Sequence, residues 1–370
     1  MPAGEAKQVI YLRMQGGMSQ FETFDPKPHF HANNHESPAA RPIPSRIPDV
    51  SISEWMPRTA EILDRCLIFR AIEGPGTHIA EAASHFRMTG YRQRSTIVYP
   101  DLGSWCATLL LDNRFFVRIG HEDENTQSWL PETRSAPVVI SDAHAALRLA
   151  ESPTNWENRL QLLKQLKNSD TAASSFLATP DALTALRWDK EPIENRTRYG
   201  DHDFGRSCLL ASRLVRHSLA SFVEVNLKGW ETEGPDYWRT IRENCRQLDE
   251  AFSALILDLE STGLLDETLV VIASDYGRHG YYTENGRPFS SHYATAVFAG
   301  GGIQSGQVIG KTDDNGRVLS GNPIPARQFN GLILEALGLD PHKTEFSPRG
   351  RPVMIGNNRL PPLKGIFRNR

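Results

Sequence analysis

Residues 268–279 read TLVVIASDYGRH, and the first six of them, from Thr268 to Ala273, form a nearly continuous apolar run. A run of this kind predicts a parallel β-strand whose two faces are both covered by other parts of the protein. Similar runs extend from Cys66 to Ile72 and from Ala294 to Ala299, and the second of these is followed by three glycines. All are strand-length and too short to cross a bilayer.

Further strands and helices alternate with these runs. Gln8 to Met14 is a β-prone run that ends in Gln15-Gly16-Gly17, and Ser221 to Asn226 is a strand of alternating type. Helices are predicted at Ser53–Asp64 with Ser53 as its cap, Ile79–Met88, Ala143–Glu151, Trp156–Lys167, Phe204–Arg216 and Tyr237–Thr262. Alternation of strands and helices predicts an α/β fold with a mostly parallel central sheet flanked by helices.

The whole chain, 1–370, is predicted to form a single domain. A long irregular segment is expected at about 24–50, where Pro, His and Asn are frequent. The weakly patterned region at about 112–195 is interpreted as inserted or peripheral.

Composition excludes several classes of protein. The chain has 39% apolar and 23% charged residues, and its net charge of −3 offers no basic excess for a nucleic-acid backbone. The four cysteines are scattered without a CxxC motif, which excludes a zinc knuckle. The N-terminus, MPAGEAKQVIYL, lacks the pattern of an export signal. We therefore expect a cytoplasmic protein as written, or an exported one if a signal has been removed.

Acidic and histidine side chains stand at the predicted strand ends. In an α/β sheet, functional groups gather beyond the carboxyl ends of the strands. Carboxylate and imidazole groups converging there are what a divalent-metal site requires. The candidate ligands are Asp275, His292, Glu231 and Glu233, with Glu22 or Asp25 contributing from the first strand. Helix capping, turn formation and simple solvation are the alternative explanations for each of them.

The sequence resembles the DUF1501 family, a branch related to the alkaline phosphatase and sulfatase superfamily. The resemblance rests on motifs that occur in order along nearly the whole chain: the segment from Gly16 to Pro28, Met88-Thr89-Gly90-Tyr91, Leu102-Gly103-Ser104-Trp105, Phe204-Gly205-Arg206, Gly229-Trp230, Leu264 to Val271, Tyr276-Gly277-Arg278, Ala299 to Ile303 and Gly306 to Gly310. It implies an alkaline-phosphatase-like α/β/α sandwich that binds divalent metals and cleaves phosphate or sulfate esters.

The chain departs from this family pattern at several positions. Relatives usually have Asp-Thr-His where this chain has Glu231-Thr232-Glu233, and an oxygen in place of a nitrogen ligand favours Mg, Ca or Mn over Zn. Tyr276 stands where sulfatases have a histidine, and Ser291 stands where relatives have a carboxylate.

The nucleophile is the least defined element of this site. Sulfatases place a Cys or Ser about ten residues before the Thr-Gly that is here Thr89-Gly90, and that position falls near Ala80. Thr77 and His78 are the nearest candidates, and Ser19 is a second possibility. A mechanism that uses water, or no catalysis at all, also remains open.

These observations lead to competing functional hypotheses. The first is a metal-dependent hydrolase acting on small-molecule or glycan esters, with Arg278 as the group that binds the anion. The second is a catalytically inactive binding or accessory protein on the same fold. A maturation factor for another exported enzyme is a third.

Overall fold

The computed structural model describes residues 5–28, 38–77, 79–110, 112–121, 128–130, 136–151, 170–179, 181–318, 323–356 and 363–368. The strands are β1 (Gln8–Gly17), β2 (Pro42–Pro44), β3 (Ser51–Ser53), β4 (Cys66–Glu73), β5 (Phe115–Ile119), β6 (Val138–Ile140), β7 (Ala220–Trp230), β8 (Thr268–Arg278), β9 (Phe289–Ser290), β10 (Tyr293–Ala299), β11 (Gln307–Ile309), β12 (Glu345–Phe346) and β13 (Pro352–Val353).

The α-helices are α1 (Pro57–Ala60), α2 (Ala80–Thr89), α3 (Leu102–Leu109), α4 (Ala143–Glu151), α5 (Asp170–Ala178), α6 (Ala182–Leu186), α7 (Ile193–Arg198), α8 (Asp203–Arg216), α9 (Tyr237–Ser261) and α10 (Ala326–Ala336). Short 3-10 helices lie at Gln20–Glu22, Leu63–Arg65 and Trp188–Lys190.

A mostly parallel sheet forms the centre of the molecule, as the sequence predicts. Its strand order is β11-β4-β10-β8-β1-β7-β5-β6, and β9 pairs with β8. β1 runs parallel to both β7 and β8, and β5 runs parallel to β6 and β7. The carboxyl ends of β1, β7 and β8 therefore lie side by side at one edge of the sheet.

Helices cover both faces of this sheet. Alternate residues of β1 point to opposite sides, so that Ile10 and Leu12 pack in one core and Val9 and Tyr11 in the other. The first core includes the buried apolar residues of α8 and α9, and the second includes Met88 of α2 and most buried apolar residues of α3 and α10. This arrangement is a three-layered α/β/α architecture.

One predicted helix and one predicted strand direction were wrong. Ser53 caps no long helix, because it pairs with Pro42 as part of the β2–β3 ribbon. The short helix α1 takes its cap from elsewhere: the carboxylate of Asp249 in α9 accepts from the backbone N–H groups of Arg58 and Thr59. β10 is buried on both faces but is antiparallel to β4 and β8, because only a short segment, containing β9, connects β8 to it.

The region at about 112–195 contributes more to the fold than its weak pattern predicts. β5 and β6 lie within it and extend the central sheet beyond β7, so this part is integral to the core. The helix predicted at Trp156–Lys167 lies outside the described residues. Within the described residues, no helix has both the length and the apolar character needed to span a membrane.

Candidate functional site

The carboxyl ends of β1, β7 and β8 approach each other closely at Gly16. The backbone of Gly16 has φ +104°, and a Cβ atom there would lie 2.5 Å from the backbone nitrogen of Glu231. The β1 ladder also shifts register between Met14 and Gly16. Glycine is therefore required for this approach, since other residues rarely adopt that φ and would clash.

Asp275 lies at this edge on the face covered by α2 and α3, and it is 2% exposed. The Nη2 atom of Arg13 lies 3.3 and 3.4 Å from its two carboxylate oxygens, and the backbone N–H of Gly16 donates to it over 3.0 Å. The strongest candidate ligand is therefore already engaged with a cation and a backbone donor.

Asp275 belongs to a buried group of five charged residues, which we call the strand-end charge cluster: Arg13, Asp101, Arg118, Glu224 and Asp275. Arg13 Nη1 lies 3.3 Å from Glu224, and Arg118 donates over 2.8 Å to both Glu224 and Asp101. Three carboxylates thus share two guanidinium groups below the protein surface.

Charges within this cluster are stabilised by one another. Burial alone would raise the pKa of Glu224, but Arg118, the neighbouring His121 and Arg13 hold it well below its usual value. Burial raises the pKa of Asp101 and outweighs the opposing effect of Arg118. Arg13 also donates to Ser84 of α2 over 2.5 Å. The cluster therefore links four strands, β1, β5, β7 and β8, to α2 and to the start of α3 through buried ion pairs and hydrogen bonds.

His121 stands at the rim of the cluster, just beyond the end of β5. Its Nε2 atom lies 3.2 Å from Glu224 Oε1, and its side chain is 8% exposed. Burial lowers the pKa of His121 despite the nearby carboxylate. Burial therefore disfavours the charged imidazole more than the neighbouring carboxylate favours it.

Ser19 and Glu22 follow β1 and are fully buried. The hydroxyl of Ser19 donates to Glu22, and Arg287 donates from Nε to both carboxylate oxygens over 2.9 and 3.0 Å. Arg287 is itself completely buried. The candidate ligand Glu22 thus belongs to an internal ion pair, and the candidate nucleophile Ser19 is hydrogen-bonded to that pair and equally buried.

Asp25 is also paired with cations. Lys27 Nζ lies 2.9 Å and Arg70 Nε 3.1 Å from its Oδ1 atom, and Thr312 donates to its other oxygen. Asp25 is 1% exposed. The carboxylate of Asp25, a candidate metal ligand from the first strand, is therefore already bound by two positively charged side chains and a hydroxyl.

Arg278 links three segments of the chain through hydrogen bonds. Its guanidinium donates to the backbone carbonyls of Gly17, Arg287 and Trp230, and it stacks on the ring of Phe289 at 4.0 Å. The side chain is 0% exposed. These bonds hold the carboxyl ends of β1, β7 and β8 together and leave the guanidinium no path to an external anion.

The remaining candidates lie nearer the surface. Glu231, Glu233 and His292 are exposed, and Thr77 is half-buried with its hydroxyl accepting from the backbone N–H of Ile79 over 3.2 Å. His78 lies outside the described residues.

The candidate ligands do not fit a metal ion as they are arranged. A metal ligand must offer a free lone pair, whereas Asp275, Glu22 and Asp25 are held by arginine or lysine. Nowhere in the described part of the chain do three or more His, Cys, Asp or Glu side chains form a group that could hold one. The resemblance to metal-dependent hydrolases is therefore not matched by the geometry of these residues.

The sequence patterns singled out Arg278 but not the other buried cations of this region, such as Arg13, Arg118 and Arg287. A signal for some of them exists in the period-two alternation of the strands. Arg13 follows the buried Val9 and Tyr11 on one face of β1, and Glu224 follows Phe222 on the same side of β7. A charge at an inward position of a covered strand needs a partner, and that requirement points to a buried ion pair.

Comparison with known proteins gives a family and distant structural likenesses. A family model described as a protein of unknown function (DUF1501) matches residues 6–365. No curated protein sequence matches the chain.

Among solved structures, the chain is similar to Ps i-CgsB in complex with k-i-k-neocarrahexaose, with 12% identity, a TM-score of 0.47 and coverage of 90% of this chain and 72% of that one. It is similar to the lipoteichoic acid synthase LtaP from Listeria monocytogenes, with 8% identity, a TM-score of 0.45 and coverage of 96% and 76%. It is also similar to the alkaline phosphatase from the Antarctic bacterium TAB5, with 11% identity, a TM-score of 0.42 and coverage of 90% of this chain and 98% of that one. Likeness at this level assigns no ligand or reaction to this chain.

Proposed function

This chain belongs to the DUF1501 family. We propose that it is a non-catalytic binding or accessory protein with an alkaline-phosphatase-like α/β architecture. Metal-dependent hydrolysis of phosphate or sulfate esters, which the sequence resemblance implies, is the rival function. The two differ in what the carboxylates at the sheet edge do. In a metal enzyme they hold cations taken from solution, and in the proposed binding protein they hold the chain's own arginines and lysine.

The observation that carries this proposal is the neutralisation of the buried carboxylates. Asp275 contacts Arg13, Glu22 contacts Arg287, and all four side chains are at least nine-tenths buried. A metal ion could enter only if each arginine moved away and found new partners. Removing one member of a buried ion pair costs about 3–5 kcal/mol, so this exchange is strongly opposed.

The candidate nucleophiles support the same conclusion. Ser19 donates to Glu22, but its hydroxyl is buried, and a substrate could not reach it. Thr77 is accessible in part, and its hydroxyl accepts a hydrogen bond from the backbone N–H of Ile79, which does not activate it as a nucleophile. A hydroxyl group needs metal coordination or an adjacent base to become a good nucleophile.

Metal analysis combined with an esterase assay tests the proposal. The purified chain is incubated in turn with Mg, Ca, Mn and Zn, freed of excess metal and measured by elemental mass spectrometry. Hydrolysis of phenyl phosphate and phenyl sulfate is followed in parallel. We expect no stoichiometric metal and no turnover above that of buffer.

Variants make the test specific. Asp275→Asn addresses the buried candidate, and His292→Ala addresses an exposed one whose replacement leaves the core untouched. Stoichiometric metal in the wild type that is lost in His292→Ala, together with turnover lost in Asp275→Asn, would overturn the proposal in favour of the hydrolase.

A further inference from the structure

A second feature lies at the same edge of the sheet but outside the residues discussed above. It is a cavity of 420 Å³ between the end of β4, the end of α2 and the start of α10. We call it the Arg92 groove, and the residues of its wall that carry the argument are Glu73, Tyr91, Arg92, Arg94, Tyr99 and Arg327. Its volume falls within the range of about 300–1,000 Å³ that is typical of small-molecule sites.

Arg327 is fixed in the wall by its neighbours. Its guanidinium lies over the ring of Tyr91 at 4.5 Å, and Tyr91 is stacked on Tyr99 at 4.1 Å with an interplanar angle of 7°. Gly90, with φ +74°, makes room for it, since a Cβ there would lie 2.5 Å from Arg327 Cγ. The side chain also donates to the carbonyls of Met354 and Gly356. This part of the wall is therefore preorganised.

Arg92 and Arg94 differ from the cations of the strand-end charge cluster because neither forms an ion pair with an acidic side chain in the described part of the chain. Both are exposed, and none of the ion pairs among the described residues involves either of them. Arg92 lies over the ring of Phe86 at 5.8 Å, and Gly76 approaches it so closely that a Cβ there would lie 2.8 Å from its Nη1 atom. Arg92 is thus positioned by local packing, and among the described residues no acidic side chain is paired with its charge.

The positive formal charge of the groove favours an anionic ligand that carries close to two negative charges. Three arginines and one glutamate line it, which gives a formal charge of +2 (3 − 1). The carboxylate of Glu73 is turned to the start of α10, where it accepts from the backbone N–H of Ala326 over 3.1 Å. A phosphate monoester carries about −1.5 to −2 at pH 7, whereas a sulfate ester or a carboxylate carries only one charge. A phosphate group is therefore the best match in charge, and guanidinium groups bind it bidentately.

We propose that the Arg92 groove binds a small phosphorylated organic molecule, with Arg92 and Arg94 holding the phosphate group and the Tyr91–Tyr99 pair lining the space beside it. A cavity of this size exceeds what a bare phosphate ion fills, so the organic part of the ligand occupies the remainder. This inference deepens the proposed function and rests on it in one respect, which is that the ligand leaves the groove chemically unchanged.

Titration calorimetry with phenyl phosphate tests the inference, using the full chain at physiological ionic strength, where charges farther away than about 8 Å are largely screened. We expect binding of phenyl phosphate and a loss of about tenfold or more in Arg92→Gln/Arg94→Gln, since two charge-assisted contacts disappear. Both residues are exposed, so the variant should fold as the wild type does. Unchanged affinity in this variant, or no binding by the wild type, would overturn the proposal.

The matched control is Arg239→Gln/Arg242→Gln, which removes the same charge from two exposed arginines that line a different cavity. Arg242 is stacked on Trp55 at 4.9 Å, much as Arg92 lies on Phe86. We expect less than a twofold change, because screening weakens the effect of distant charges. An equal loss in both variants would mean that general surface charge attracts the probe, and the groove would be rejected.

Two further probes separate the parts of the inference. Phenyl sulfate should bind at least about fivefold more weakly than phenyl phosphate, because it carries a single charge. Equal binding of phenyl sulfate would overturn the charge match, and equal binding of inorganic phosphate would overturn the role of the organic part. Phosphorus NMR of the recovered probe separates this inference from the proposed function. Hydrolysed phenyl phosphate whose binding still depends on Arg92 and Arg94 would refute the proposed function, and with it the statement that the ligand leaves unchanged, but not the binding of the phosphate group in the Arg92 groove.

Discussion

Arg287 donates from its Nε atom to both carboxylate oxygens of Glu22, over 2.9 and 3.0 Å, and neither side chain is exposed. Glu22 follows β1, whereas Arg287 lies between β8 and β9, so the pair joins two segments that are 265 residues apart. The carboxylate is therefore part of the internal structure, and its first role is to compensate a buried cation.

Replacement of Glu22 should destabilise the fold. We expect Glu22→Gln to lower the free energy of unfolding by about 3–5 kcal/mol, because the Arg287 charge would remain buried without its partner. Urea unfolding measures this loss. Glu243→Gln is the control, since its ion pair with Arg246 is exposed and should contribute less than about 1 kcal/mol. A loss in Glu22→Gln no larger than that of the control would contradict the pairing.

Replacement of Arg278 by lysine should lower the stability of the fold and leave the affinity for phenyl phosphate unchanged. Arg278→Lys retains the positive charge but cannot reach the carbonyls of Gly17, Trp230 and Arg287 together. We expect a loss of at least about 2 kcal/mol in unfolding free energy, since buried carbonyls lose their donors. Phenyl phosphate affinity should stay at its wild-type value in calorimetry. A stable variant that no longer binds the probe would restore Arg278 as an anion-binding group.

The free energy of unfolding should fall on acidification because Glu224 becomes protonated. The pKa of Glu224 is lowered in the folded protein, so its contribution to stability is complete above the unfolded value of about 4.3 and is lost as the pH falls through the folded value. Between those two values the unfolded state binds more protons than the folded state, which makes the slope of stability with pH positive.

The matching experiment compares the wild type with Glu224→Gln in urea at a series of pH values. The difference in unfolding free energy between them should be largest near about pH 5 and should shrink toward about pH 3, because only the wild type loses an ionised Glu224. A difference that stays constant over this range would show that the pKa of Glu224 is the same in the folded and unfolded states, and would contradict the lowered pKa.

Gly90 should matter for both stability and ligand binding. Gly90→Ala places a methyl group 2.5 Å from Arg327 Cγ and also strains a backbone at φ +74°. Gly338→Ala is the control, because Gly338 has φ +71° and nothing lies within 4 Å of the added atom. Both variants should lose about 1 kcal/mol from backbone strain, and Gly90→Ala should lose more from crowding.

Binding gives the second readout of this pair. We expect phenyl phosphate to bind more weakly to Gly90→Ala than to Gly338→Ala, since displacement of Arg327 distorts only the Arg92 groove. Equal affinities in calorimetry would mean that Arg327 does not contribute to the groove.

The sequence predicted the main strands well because their apolar runs require burial on both faces. β4 and β8 lie where those runs predict them, and β1 and β7 lie where a β-prone run and an alternating pattern predict them. α2 lies close to its predicted range and ends at Gly90 in a left-handed conformation. The direction of β10 could not be predicted, since a strand buried on both faces has the same pattern in either direction. The long helix expected from Ser53 failed because pairing with β2 overrides local spacing.

The sequence by itself determined the α/β class, the family and the set of charged residues near the carboxyl edge of the sheet. Only the tertiary structure decided which charges meet. Arg13 and Asp275 are 262 residues apart, and their contact depends on the register in which β1 pairs with β8. A carboxylate has the same appearance in the sequence whether it faces a metal ion or a guanidinium, because Coulomb attraction depends on position in space. That position places three of the six expected ligands, Asp275, Glu22 and Asp25, in internal ion pairs.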